Sequence, residues 1–199
     1  MKKYIFVFLF CTIAASSFGQ SNKTLTFLLE NVYKDDQQYR LMEDSIAKKH
    51  GYRSNEVKDL WEIIHRKDSS NLVIVKRILD KYGWLGADVV GQKGNDCLFL
   101  VIQHADLKAQ EYYLPMMKEA VKNKKANASS LALLMDRIEM RNGRPQIYGS
   151  QINTDSTGKS TIYKMLDEPN VNKRRQDVGL QPLEEYVKFW NIDYHLPKK

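Results

Sequence analysis

The sequence predicts a mainly α, single-domain helical fold with a small C-terminal β-hairpin. Three observations lead there. Apolar residues recur at helical spacing across most of residues 24–141. Serine, asparagine and glycine punctuate that pattern where helices should begin and end. After Pro145 the pattern changes to two short runs of strand character around a polar turn.

The chain opens on a segment that reads as a signal peptide, residues 1–19. Lys2 and Lys3 form its charged end, Tyr4 to Ala15 its apolar stretch, and Ser17-Phe18-Gly19 its processing site, with cleavage between Gly19 and Gln20. This makes the expected product periplasmic or secreted, with residues 20–199 as one mostly helical domain. No later run is apolar for long enough to cross a bilayer, so no stable membrane insertion is expected after cleavage.

Leu25, Leu28, Leu29 and Val32 mark a first helix running to about Ser45. Ser54-Asn55 caps a second helix carrying Val57, Leu60, Trp61 and Ile64, and Ser70-Asn71 a third, closed by Gly83. Trp84 to Asn95, with three glycines, reads as a loop. For residues 97–103 the apolar run fits a buried helix or a buried strand. Asn95-Asp96 as a cap favours helix. Leu107 to Lys122 is the next helix, kinked or restarted at Pro115. Ser129-Ser130 caps Leu131 to Arg141, whose all-round apolar start places it at the centre. Gln146 to Thr154 and Lys159 to Met165 are the two expected strands, joined by Asp155-Ser156-Thr157-Gly158. A short helix over 171–177 ends at Gly179, and Pro182 at a first helical position opens the last helix.

Composition narrows the function. The formal charge of +7 falls to +5 once Lys2 and Lys3 are removed, and the rest is dispersed. Nucleic acid is therefore excluded as the expected partner. Cys97 is the one cysteine beyond the signal segment, so no internal disulfide is available, and it reads as a small buried hydrophobe. His50, His65, His104 and His195 form no metal-binding motif, and there is no CxxC, so no metal and no cofactor are expected.

Four polar sets stand at or beside strongly apolar segments. Asp36 falls on the stripe of Leu25, Leu29 and Val32, with Gln37 beside it and Arg40 one turn on. A buried carboxylate there needs a partner, and the choice is a local Asp36–Arg40 bridge, a helix that has emerged into water by that point, or the floor of a polar cleft. Gln103-His104-Ala105-Asp106 ends the most apolar run. His104 is a candidate general base, the alternative being a histidine over the last carbonyls of one helix and an aspartate capping the next. Asp136-Arg137 lies late in the central helix. Gln146, Tyr148 and Gln151 are hydrogen-bonding groups suited to holding a polar ligand, or simply parts of a half-buried strand. The candidate catalytic residues are His104, Asp106 and Asp136. The candidate ligand-binding residues are Asp36, Gln37, Arg40, Gln103, Arg137, Gln146, Tyr148 and Gln151. Isolated buried polar groups cost about 1–3 kcal/mol each, so the four sets are expected to share one pocket or network.

Asp36-Gln37-x-x-Arg40, Gly83-Trp84, Gln103-His104-Ala105-Asp106, Asp136-Arg137, Gln146-x-Tyr148-Gly149-Ser150-Gln151 and Arg175-x-x-x-Gly179-Leu180 occur in that order. Together they resemble an uncharacterised bacterial family common among exported proteins of Bacteroidota. Leu85 stands where that family usually has proline, and Ser150 where it has threonine. The resemblance implies a domain type and a set of positions, and no activity. Two function classes follow. One is a non-catalytic module binding a polar small molecule or an envelope component. The other is a small extracytoplasmic hydrolase using His104 with Asp106 or Asp136.

Overall fold

The computed structural model describes residues 6–197, with side chains from residue 22 onward. It is mainly α with a small hairpin, as the sequence predicts. Lys2 and Lys3 of the expected signal segment lie outside the described residues, and the expected cleavage point falls within the first helix.

The helices are α1 (Phe6–Gln37), α2 (Glu43–His50), α3 (Asn55–Tyr82), α4 (Ala87–His104), α5 (Leu107–Lys122), α6 (Ala128–Arg141), α7 (Val171–Asp177) and α8 (Leu183–Tyr186). The hairpin is β1 (Ile152–Thr154) paired antiparallel with β2 (Ser160–Ile162), in the register Ile152 opposite Ile162. α1 lies along α4 and touches α3, α2 packs on α3, and α5 packs on α6. The main core joins Leu29 and Val32 of α1 to Val75 and Leu79 of α3, Leu98 and Ile102 of α4, Met117 of α5 and Leu134 of α6. Each such side chain contributes about 1.5–3 kcal/mol relative to exposure. A smaller core of Val171, Leu183 and Val187 lies beneath the hairpin residues Ile152 and Ile162.

Gly94 faces α1 across this contact. A Cβ there would come within 3.0 Å of Val90 Cβ in α4 itself and in ordinary contact, 3.5 Å, with Leu29 Cβ of α1.

Several boundaries differ from expectation, each for a local reason. The first helix stops at Gln37 rather than near Ser45. A 3-10 turn at Arg40–Met42 and then α2 follow. The expected second and third helices are one, α3. Ser70 Oγ donates back to Arg66 O at 3.1 Å instead of capping, and Asn71 occupies a buried position on the apolar stripe. The glycine-rich loop is mostly helix. α4 starts at Ala87 and is broken only at Gly91, whose φ of +71° marks the kink. Asn95 is not a cap either, because it is buried and donates to Leu85 O and Lys125 O, both at 2.7 Å. Residues 97–103 are helical. α5 continues through Pro115, and α6 begins at Ala128, before Ser129-Ser130. Pro182 stands just before α8 rather than at its first position.

The strands are shorter than the sequence suggests. Gln146 bridges to Met165, but residues 147–151 leave the ladder and wrap around a carboxylate from α6. The expected turn at 155–158 is present, with Asp155 accepting from the backbone of Thr157 and Lys159.

Candidate functional site

Asp36 is the last member of the buried stripe on α1 and is 3 % exposed. Its partners come from three directions. Gln37 Nε2 donates to Oδ2 at 2.6 Å, His104 Nδ1 lies 3.0 Å from Oδ1, and Arg40 Nε lies 3.8 Å from Oδ2. Burial alone would push the carboxyl upward, but the hydrogen bonds from His104 and Gln37 and the charge of Arg40 hold it below its ordinary value. The result is a buried carboxylate orienting a half-buried imidazole at the C-terminal end of α4. Nε2 of His104 has no hydrogen-bond partner among the described residues.

Arg40 extends the cluster. Its Nη2 is 2.5 Å from Asp68 Oδ1 on α3, and its guanidinium lies 5.9 Å from the Trp61 ring. Asp36, Asp68 and His104 present ligand-type atoms within 4.8 Å of one another. The guanidinium of Arg40 already bridges the two carboxylates, so a metal ion would have to compete with a fixed internal cation.

Arg40 and Trp61 also line a cleft of about 930 Å³. The cleft runs between α2 and α3 on one side and the hairpin turn and Trp190 on the other. Tyr52 packs against Gly158 across it, where a Cβ would sit 2.5 Å from the ring.

The other candidates divide by task. Asp106 caps α5, accepting from Ala109 N at 2.7 Å, and has no hydrogen bond or ion pair with His104 among the described residues. Asp136 is fully buried and accepts from Ile147 N at 2.7 Å, Tyr148 N at 2.9 Å and Ser150 N at 2.9 Å. Burial pushes its carboxyl up, against these N–H donors, which favour the ionised form. Gln146 closes the same loop from within. Its Oε1 accepts from Gln151 N at 2.7 Å, and its Nε2 donates to Tyr163 O at 2.8 Å. Gln151 Nε2 donates to Ser150 Oγ. Half-buried Tyr148 gives the loop its carbonyl for Arg175, at 2.7 Å from Nη1. Gln103 turns away from His104 towards α6, with Nε2 3.5 Å from Leu133 O.

The structure therefore brings Asp36, Gln37, Arg40 and His104 together directly, and Asp136, Gln146, Tyr148 and Gln151 together in a separate clamp. The expectation of a single shared network gives way to two. Backbone N–H groups satisfy Asp136 locally, so it has no need of the other acids. Arg137, one turn before Arg141 on α6, joins neither network: its Nε is buried without a partner among the described residues, and burial holds its guanidinium below the ordinary value.

Sequence reasoning missed Asp68, Arg141 and Tyr186, and Arg175 figured only within the family pattern. Asp68 lies seven residues beyond Trp61, on the same helical face, and that spacing was its one available signal. Arg175 is fully buried, stacked 4.7 Å from the Tyr186 ring and donating to Gln181 O. Nothing in its surrounding run of basic residues marks it out.

Fold and site define a mainly helical domain built around a buried carboxylate–histidine pair. Residues 34–199 match the model of DUF6624, a family of unknown function, and the chain belongs to that family. No curated protein and no solved structure matches it.

Proposed function

We propose that the Asp36–His104 pair is the working centre of a polar-ligand site and that His104 serves there as a general acid–base group, with water as nucleophile in a hydrolytic reaction. The observation that carries this reading is the 3.0 Å contact between His104 Nδ1 and a carboxylate that is 3 % exposed. A buried carboxylate on Nδ1 fixes the imidazole's orientation and leaves Nε2 for proton transfer. Arg40, held by Asp36 and Asp68, supplies a preorganised cation beside it.

On this reading Asp36, rather than Asp106 or Asp136, is the partner of His104. Gln37 and Arg40 position the dyad, while Gln146, Tyr148 and Gln151 shape the neighbouring loop. The signal-like segment 1–19 supports an activity outside the cytoplasm, on a small polar molecule or an envelope component.

The test is a panel of chromogenic esters, phosphate esters, glycosides and peptides, run on wild type, His104→Gln and Asp36→Asn. Loss of about 100-fold or more in turnover, with the circular dichroism spectrum unchanged, is expected for His104→Gln. A substrate turned over equally well by that variant would end the acid–base role.

A further inference from the structure

We infer that this site binds an oxyanion, phosphate-like or carboxylate-like, seated on the guanidinium of Arg137. The inference uses the site just described but does not depend on its catalysis.

The argument starts from a missing partner. Arg137 projects from α6 between the buried residues Asp136 and Ile138. Its Nε is fully buried, and it makes no hydrogen bond or ion pair among the described residues. Arg137 is partly exposed, so its terminal nitrogens meet solvent with no protein acceptor, leaving a charge open on one side.

Arg141, one turn later on α6, shares the helical face of Arg137 and is a second cation. The Tyr186 hydroxyl is already committed, donating to Ser150 O at 3.0 Å.

The nearby carboxylates are all engaged. Asp136 precedes Arg137 in the chain but accepts from three backbone N–H groups. Asp36 holds His104, Gln37 and Arg40, and Asp68 holds Arg40. Arg141 is tied to the carbonyl of Ala105, next in sequence to His104, which fixes a second guanidinium near the dyad. Arg137 and Arg141 on one face of α6, with no protein acceptor on Arg137, describe the vacant half of an ion pair. The planar fork of arginine matches the two-oxygen edge of a phosphate or carboxylate.

The experiment is thermal melting and titration calorimetry of the full mature chain. Sodium phosphate and sodium succinate are compared with sodium chloride at matched ionic strength, so the two arms separate phosphoryl from carboxylate chemistry. Wild type should show a saturable rise in melting temperature with at least one of the two oxyanions and none with chloride. Arg137→Gln should lose that response and, without anion, melt no lower than wild type, because an unpaired charge has been removed. Arg137→Lys keeps the charge without the fork and should bind about tenfold more weakly. Arg53→Gln, in the wall of the cleft, should respond as wild type does.

His104→Gln should keep anion binding, which separates this inference from the acid–base reading. A wild type indifferent to both oxyanions, or an Arg137→Gln that still responds, would overturn the anion seat.

Discussion

Asp36 and Asp136 are 3 % and 0 % exposed, and each sits on the inner face of a helix, yet their partners differ in kind. Those of Asp136 are backbone N–H groups from one nearby loop, which cannot titrate and do not leave while the loop is folded. Those of Asp36 are side chains, two of them ionisable, drawn from separate elements. A buried carboxylate answered by backbone is architecture, because its charge shapes a turn. One answered by an imidazole and a guanidinium is a candidate for chemistry, because its charge sets the orientation and protonation of groups that can meet a ligand. Burial alone does not distinguish them, but the partners do.

The largest expected effect tests the architectural half. Asp136→Ala removes the acceptor for three backbone N–H groups and should cost about 3–5 kcal/mol in urea unfolding. Hydrogen exchange at residues 147–150 should accelerate before the helical core opens. A loss below about 1 kcal/mol would erase the distinction drawn here.

Asp36→Asn should be milder in stability, about 1 kcal/mol, while abolishing whatever turnover the panel finds. Its pH dependence sharpens the contrast. The folded carboxyl is held below its ordinary value of 3.8, so the unfolded chain takes up the proton first as acid is added. The contribution of Asp36 is complete above that pH and is lost as pH falls through the lower folded value. The stability difference between wild type and Asp36→Asn should therefore shrink as pH falls below about 4. A difference that grows below about pH 4 would reverse the assigned direction.

Asp106 belongs with Asp136. Asp106→Ala should cost about 1 kcal/mol as a lost helix cap and leave turnover untouched. A loss of activity at full folding would return it to the site.

The parts of the molecule legible in sequence are those governed by local rules. The hydrophobic stripe of α1, the Ser54 cap, the Asp106 cap and the turn at Asp155–Gly158 all follow from spacing and side-chain chemistry within a few residues. Asp36 was legible as an anomaly on that stripe. Its partner was not, because His104 reaches it only once α1 lies along α4, and periodicity carries no information about which helices pair. Gly91 and Gly94 misled for a related reason. Glycine signals a loop locally, whereas here one glycine kinks a helix and the other faces α1 across a helix contact. The Asp136 clamp was hidden because strand alternation over 146–154 looked regular. Competition from a carboxylate on another element pulled 147–151 out of the ladder.

The two aspartates also differ in timing as the chain emerges end first. Asp136 finds its donors 11 to 14 residues downstream, so the clamp can close soon after its loop appears. Asp36 waits 68 residues for His104. A nascent chain shorter than that carries α1 without the pair. The Asp36–His104 contact closes only once the last residue of α4 is in place.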